Sequence, residues 1–196
     1  MASRLARSRQ YSDLSLPDGF PLLRYRAIAC MVFNNSLMDA TETINRLKAM
    51  LAGKWAGEGF AKFPTIDDTA YTEQTEFKPD EYKDSIFFSQ KTWYKNETPK
   101  NGHTVFWDTG FILLRDEHIL LHSVQVGGRI EQYRLSESGD DRFVFDSSAI
   151  FVDPKAIRSQ RVFTISSDAI DYELNMATHQ APEFQNHLKA HLRRTA

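Results

Sequence analysis

Histidine and cysteine are the residues of this chain with the widest range of possible chemistry, and the 196 residues include six histidines and one cysteine. The single Cys30 excludes an internal disulfide framework and any CxxC zinc or redox motif, and favours a reducing, cytoplasmic location. His118 and His122 would share a strand face, but no third zinc ligand accompanies them. No Gly-x-Ser-x-Gly elbow or glycine-rich phosphate loop is present. The available chemistry is therefore that of single histidines.

Two histidines lie near the C-terminus, in the segment Asn186-His-Leu-Lys-Ala-His-Leu192. Strict alternation places His187 with Lys189 on the polar face of a strand, opposite Leu188. Most histidines on such a face are only solvated, but a β-bulge or a strand end can redirect one side chain. The residues alone leave His187 open between a surface residue and a ligand, with His191 as the alternative from the same strand.

One amphipathic helix is predicted over residues 40–52, ahead of all predicted strands. Asp39 and Glu42 fit a capping box, and Gly53 stands where a helix would stop. Four apolar residues recur at helical spacing, namely Ile44, Leu47, Met50 and Leu51. This apolar stripe is expected to cover one end of the structure that follows.

Ten strand-like segments follow the helix, each rich in aromatic and β-branched residues and bounded by turn signals. Such a sheet hides its edges by closing into an antiparallel up-and-down β-barrel, and one of this width can hold a ligand. We therefore predict an all-β fold with one helix capping the barrel. The predicted strands are Trp55–Lys62, Tyr71–Phe77, Ser85–Tyr94, Thr104–Arg115, Ile119–Val126, Arg129–Leu135, Arg142–Val152, Arg158–Ser166, Ala169–Ala177 and Phe184–Leu192.

Composition limits the remaining possibilities. The formal net charge of -2 with mixed signs argues against nucleic-acid binding, and no apolar run approaches the ~18 residues of a membrane span. Residues 1–38 are predicted to be a partly disordered leader, and residues 39–196 a single barrel domain with its N-terminal helix.

Five short motifs follow one another in a specific order and spacing, although each is weak alone. The first is Gly53-Lys-Trp-Ala-Gly-Glu-Gly59, which has the pattern GxWxGxG. The others are Phe63-Pro-Thr-Ile66, Thr109-Gly-Phe-Ile112, Gln125–Ile130, and Met176-Ala-Thr178 followed by Asn186–Leu192. Together they resemble the motifs of the nitrobindins, small haem-binding β-barrels related in shape to fatty-acid-binding proteins and other calycins.

The resemblance implies a site for ferric haem b. In the family, the histidine of the closing segment is the only protein ligand of the iron, and His187 occupies the matching position. The resemblance also places Thr65 beside the haem and Lys155 near a haem propionate. One residue departs from the pattern, because Phe106 stands where the family commonly has a histidine. The haem surroundings are therefore expected to be more apolar than usual.

The function implied by the resemblance is reversible binding of nitric oxide, together with isomerisation of peroxynitrite to nitrate. A homodimer is one expectation for its assembly, and neither nucleic acid nor membrane is expected as a partner. The alternative is a barrel without haem that carries a fatty acid or another small apolar ligand, which Phe106 and Trp107 favour slightly. A second alternative is an interaction domain whose barrel is filled by its own side chains.

Overall fold

Ten antiparallel strands follow one helix and close into a barrel. The computed structural model describes residues 40–63 and 67–195. Neighbours in the chain pair with each other, and β1 completes the barrel against β10. The helix α1 spans residues 40–51. The strands are β1 Gly53–Ala61, β2 Thr69–Pro79, β3 Ser85–Tyr94, β4 Thr104–Arg115, β5 His118–Gln125, β6 Ile130–Ser138, β7 Arg142–Phe151, β8 Ala156–Ile165, β9 Ala169–Thr178 and β10 Gln185–Thr195.

The predicted fold class, the predicted helix and the ten predicted strands are confirmed. Two strands, Ser85–Tyr94 and Thr104–Arg115, begin and end where the sequence predicts. The largest differences are at the ends of β6 and β10, which continue three residues further than predicted. Asp39, the leader predicted over residues 1–38 and Thr65 lie outside the described residues.

Helix α1 closes one end of the barrel with its apolar stripe. Ile44, Leu47 and Leu51 are completely buried, and burial of each contributes about 2 kcal/mol. Arg46 extends from the helix to the β6–β7 turn, where its guanidinium donates to the Ser138 hydroxyl (2.8 Å) and the Gly139 carbonyl (2.9 Å). The helix is therefore attached to the barrel by both apolar packing and hydrogen bonds.

Trp55 plugs the same end of the barrel, as its size predicts. Its ring is buried, and its indole N–H donates to the carbonyl of Leu51 in the last turn of α1 (2.8 Å). The Arg194 guanidinium lies 4.1 Å from the ring centroid and donates to the carbonyls of Met50 and Ala52. These donors satisfy carbonyls that the end of a helix leaves without partners.

The glycines of β1 permit a close approach of β10. A Cβ added to Gly57 would lie 2.0 Å from the carbonyl oxygen of His191, and one added to Gly59 would lie 2.3 Å from the Tyr71 ring. Neither position has room for a side chain. These glycines therefore mark a close approach of the backbone to its neighbours.

Two further features concern the outside of the molecule. Several large apolar side chains are exposed on the outer face of β4 to β6, among them Phe111, Val124 and Ile130. In the part of the chain that the structure describes, no helix has both the length and the apolar character needed to cross a membrane.

We expect Gly57→Ala to destabilise the barrel by more than about 2 kcal/mol, because the backbone of β10 must move to admit the methyl group. Gly127→Ala is the matched control, since nothing lies within 4 Å of its added Cβ. That change should stay within about 0.5 kcal/mol of the parent protein. Urea unfolding followed by tryptophan fluorescence measures both, and equal effects would contradict the close approach.

Candidate functional site

The candidate site lies at the end of the barrel opposite α1, which we call the mouth. Five connections surround it, at residues 62–68 (of which 64–66 are not described), 95–103, 126–129, 152–155 and 179–184. The chain enters and leaves each strand alternately at the two ends, so all odd-numbered strands finish here. His187 and Lys155, two of the predicted site residues, are both at this end.

A β-bulge in β10 determines the direction of His187. Asn186 pairs with Asn175 of β9 and Leu188 pairs with Leu174, so His187 is an extra residue without a partner on β9. As a result His187 and Leu188 are both buried, although they are consecutive. After the bulge the alternation resumes, with Ala190 buried. The bulge thus resolves the conflict between strict alternation and a ligand role.

Hydrogen bonds on both sides stabilise the bulge. The Asn186 side-chain amide donates to the Leu188 carbonyl (3.1 Å) and to Asn175 Oδ1 (3.0 Å), which bridges the interrupted ladder. The carbonyl of His187 accepts from the backbone N–H of Lys62, just beyond β1 (2.8 Å). The backbone that carries the imidazole is therefore anchored to both neighbouring strands.

The His187 imidazole is buried but has no hydrogen-bond partner at Nδ1 among residues 40–63 and 67–195. Its side chain is 3% exposed, and its ring centroid lies 5.0 Å from that of Phe63. Burial lowers the pKa of His187 below its usual value, and the Arg129 guanidinium lowers this pKa further. A neutral imidazole is the form of histidine that binds a metal ion.

Arg129, which the sequence reasoning did not single out, is the charged residue that acts on His187. Its Nη1 lies 3.5 Å from the Met176 sulfur and 3.3 Å from Asp153 Oδ2, while its Nε donates to Gln125 Oε1 (2.9 Å). Met176 is on β9, and β7 and β8 separate β9 from β6 in the barrel. The Arg129 side chain therefore extends across the mouth.

A polar network continues from Arg129 towards the middle of the barrel. The Gln125 amide donates to Glu131 Oε2 (2.6 Å), and the same oxygen accepts from the Tyr133 hydroxyl (2.6 Å). The other Glu131 oxygen accepts from Ser159 (2.8 Å). Since these partners use both carboxylate oxygens, Glu131 is a fixed anchor for Gln125 and, through it, for Arg129.

Arg161 occupies the centre of this network. Its side chain is 1% exposed, and its Nη2 lies 2.6 Å from Asp108 Oδ2 and 3.7 Å from Glu131 Oε2. Burial lowers the pKa of Arg161, but Asp108, Tyr133, Tyr172 and Glu131 together outweigh this effect, so the net pKa lies well above the usual value. The barrel interior therefore contains a permanent positive charge that binds two carboxylates.

The remaining interior carboxyl, Glu73, lies beside a small void. Its Oε1 accepts from Thr75 (2.7 Å) and Gln90 (2.9 Å), whereas Oε2 has no partner among the described residues. Burial raises the pKa of Glu73 to about 7 despite these hydrogen bonds. The adjoining void measures about 20 Å³, about enough space for one water molecule. This part of the barrel has no room for a long acyl chain.

Of the other residues that the sequence analysis singled out, those that the structure describes lie in different places. Lys155 is exposed in the β7–β8 connection, and Thr65 lies outside the described residues. Phe106 is buried, whereas Trp107 is 42% exposed on the outer face with the Lys91 amine 3.9 Å from its ring centroid. Trp107 therefore does not support an apolar cavity. His191 is exposed and pairs with an aspartate on the outside of β9.

The barrel is capped at one end and has a buried histidine at the other. These two features define the class of protein as a β-barrel with a site for a small ligand. The family model of the THAP4-like, heme-binding beta-barrel domain matches residues 46–194. The chain belongs to this family of haem-binding barrels, and the resemblance to nitrobindins is confirmed. Residues 40–63 and 67–195 contain no cluster of three or more His, Cys, Asp or Glu side chains that could hold a metal ion.

Two curated proteins that are similar to this chain are both named peroxynitrite isomerases. Peroxynitrite isomerase 1 of Rhodococcus jostii (strain RHA1) is 33% identical over 150 residues, which cover 74% of this chain and 81% of that protein. Peroxynitrite isomerase 2 of Mycobacterium marinum (strain ATCC BAA-535 / M) is 30% identical, covering 74% of this chain and 91% of its own. The crystal structure of Rv2717c from M. tuberculosis matches with a TM-score of 0.61 and 25% identity, covering 77% and 98% of the two chains.

We expect Glu73→Gln to change how stability depends on pH. The folded protein keeps the Glu73 proton up to about pH 7, whereas the ordinary pKa of 4.5 applies to the unfolded chain, so unfolding releases this proton between these values. Stability contributed by Glu73 should therefore decrease by roughly 3 kcal/mol from pH 4.5 to pH 7, and glutamine should remove this loss. Urea unfolding at pH 5 and pH 8 measures it, with Glu81→Gln in the exposed β2–β3 turn as the control.

Proposed function

We propose that this protein binds ferric haem b through His187, binds nitric oxide reversibly and isomerises peroxynitrite to nitrate. One observation carries the proposal: a β-bulge turns a single imidazole into the mouth of a barrel that belongs to a haem-binding family. The curated relatives named peroxynitrite isomerases support the reaction. Haem b, when bound, supplies an iron centre with one open coordination position for these small ligands.

His187 would hold the iron through its neutral imidazole. The lowered pKa keeps the ring uncharged at neutral pH, so no proton has to leave before it binds a metal. The ring is also held in place, because its backbone is anchored by Lys62 and it packs against Phe63. A ligand whose orientation is already fixed loses little conformational entropy on binding.

The apolar residues of the site would restrict water and proton donors. Phe63 packs against His187, and Phe106 is buried where the family commonly has a histidine. A phenyl ring can neither donate a hydrogen bond to a small anion nor deliver a proton. We therefore assign Phe106 a role in shaping the pocket, and we expect the bound anion to depend on other residues for electrostatic stabilisation.

Lys155 and Thr65 are proposed to contact the haem periphery. Lys155 is exposed at the mouth, where an ammonium group can reach a propionate without being buried. Its backbone N–H donates to Asp153 Oδ1 (3.1 Å), which fixes the turn that carries it. Thr65 is assigned on the resemblance alone.

We expect His187→Ala to abolish the Soret band of protein reconstituted with haemin, because no other described histidine is buried at the mouth. His187→Ala should also lose the shift of the Soret band that nitric oxide causes. It should form no additional nitrate from peroxynitrite in stopped-flow assays. Far-ultraviolet circular dichroism should show that the barrel remains folded.

His191→Ala is the matched control for this experiment. It removes a histidine four residues away on the same strand, but one that is exposed and paired with Asp171 on the outer face. This variant should retain a normal Soret band and normal nitrate formation. A normal Soret band in His187→Ala would reject His187 as the ligand.

We expect Lys155→Gln to weaken haemin binding by less than tenfold, because an exposed ion pair contributes about 1 kcal/mol or less. Thr65→Val, tested in parallel, should have an effect of similar size if its hydroxyl contacts the haem. Haemin titrations followed at the Soret wavelength measure both, and raising the salt concentration should reduce the Lys155 effect. An effect of Lys155→Gln that is independent of salt would contradict the propionate contact.

The cytoplasmic location and the homodimer remain predictions of the sequence. The apolar-carrier alternative loses its main support, since Trp107 lies outside the barrel and polar side chains fill its middle.

A further inference from the structure

Arg129 has hydrogen-bonding capacity that its neighbours do not use. Its Nε donates to Gln125, and its Nη1 lies beside Asp153 and Met176. Among residues 40–63 and 67–195 no partner is found for Nη2, and the side chain is 17% exposed. A guanidinium carries five donors in one plane, so the side of Arg129 that faces the mouth can still bind an anionic oxygen.

Polar side chains in the barrel interior fix the position of the Arg129 guanidinium. Gln125 connects Arg129 to Glu131, and Glu131 is held by Tyr133 and Ser159. An arginine on an exposed loop would lose considerable side-chain entropy on binding a ligand, whereas one already held by buried groups loses less. Arg129 is therefore prepared for recognition.

Asp153 is the carboxylate that now lies beside Arg129. Its Oδ1 accepts the backbone N–H of Lys155, and its Oδ2 lies 3.3 Å from Arg129 Nη1. The pair is largely shielded from water, since the side chains of Arg129 and Asp153 are 17% and 26% exposed. An anionic ligand beside Arg129 would therefore take the place of Asp153 as the partner of the guanidinium.

The backbone next to Asp153 is strained. Val152 has a φ of 64°, a conformation that a β-branched residue rarely adopts. Residues held in such conformations are disfavoured by about 1–3 kcal/mol and often occur at ligand sites. The strained residue directly precedes Asp153 in the β7–β8 connection.

We propose that Arg129 is the anion-recognition residue of the mouth, and that Asp153 is an internal competitor which an incoming anionic ligand displaces. The shared chemistry is an anionic oxygen, which can come from a porphyrin carboxylate or from a small anion at the iron. This inference rests on the proposed function for its ligands, and it assigns to this chain a specificity residue whose guanidinium lies beside Met176 of β9, the strand that pairs with the strand of His187.

The proposal predicts opposite effects for the two partners. Arg129→Gln should weaken binding of metal-free protoporphyrin IX by about tenfold, the size expected for one charge pair that is largely removed from water. Asp153→Asn should strengthen it severalfold, because the amide still accepts the Lys155 N–H but no longer competes for Arg129. The double variant should resemble Arg129→Gln. Fluorescence titration measures all three.

Neutral and remote controls make the test specific. The dimethyl ester of protoporphyrin IX lacks the carboxylates and should bind the parent protein and Arg129→Gln equally well. Arg193→Gln and Asp168→Asn alter an exposed ion pair of 2.8 Å at the other end of the barrel, and neither should affect porphyrin binding. These two control variants change the net charge by the same amounts as Arg129→Gln and Asp153→Asn do.

A second titration distinguishes the two sources of the anion. Azide binding to the haemin-loaded protein reports on a small anion at the iron. A change with protoporphyrin alone assigns Arg129 to the porphyrin carboxylate, and a change with azide alone assigns it to the small anion. If neither affinity responds to Arg129→Gln, or if Asp153→Asn weakens both, the inference is wrong.

The outcome is separable from that of the proposed function. Metal-free protoporphyrin cannot coordinate His187, so His187→Ala should bind it almost as well as the parent protein does. Loss of the Soret band in His187→Ala together with an unaffected Arg129→Gln would overturn this inference alone. Because Asp153→Asn keeps its turn, it remains informative even if Arg129→Gln folds poorly.

Discussion

The extra residue in β10 is the constraint on which the candidate site depends. Without it, a strand that buries Leu188, Ala190 and Leu192 must direct His187 to the solvent. A one-residue bulge redirects His187 while the three apolar residues keep their places in the core. The core and the site can therefore use the same strand. The side chain of Asn186 helps to maintain the bulge, so this residue belongs to the site although it need not touch a ligand.

The two ends of the barrel have different chemistry, and a polar layer separates them. The end under α1 is apolar and closed by Trp55, whereas the mouth contains a histidine, a cation and aromatic rings. Between them Arg161 binds Asp108 and Glu131 in the interior. Such a buried group of charges contributes little net stability compared with apolar packing. Its structural consequence is that Glu131 is held rigidly, and through Gln125 this rigidity extends to Arg129 at the mouth.

Much of the fold could be predicted from the sequence because strand length, turn residues and the helical stripe are local signals. The bulge could not be located by periodicity, since it is by definition an interruption of the period. The polar layer could not be predicted for a related reason. Glu131 and Tyr133 both face inward on β6, but the sequence of a single strand does not show which of its faces is inside. Only the register across neighbouring strands brings these side chains together with Arg161. The sequence predicts Arg129 as the first residue of a strand after the Gly127-Gly128 turn, and a charged residue at a strand end gives no signal of a functional role.

The closed end determines how a ligand can reach the site. The void beside Glu73, lined by described residues of the barrel interior, measures only about 20 Å³, so a macrocycle would have to bind nearer the mouth. There a planar dicarboxylate would be held by His187 and would meet the aromatic ring of Phe63, which packs against that imidazole. An ion pair at the rim, such as that of Arg129 with Asp153, then acts on the part of the ligand that remains charged. The candidate site is therefore at the mouth, where His187 Nδ1 has no hydrogen-bond partner among the described residues.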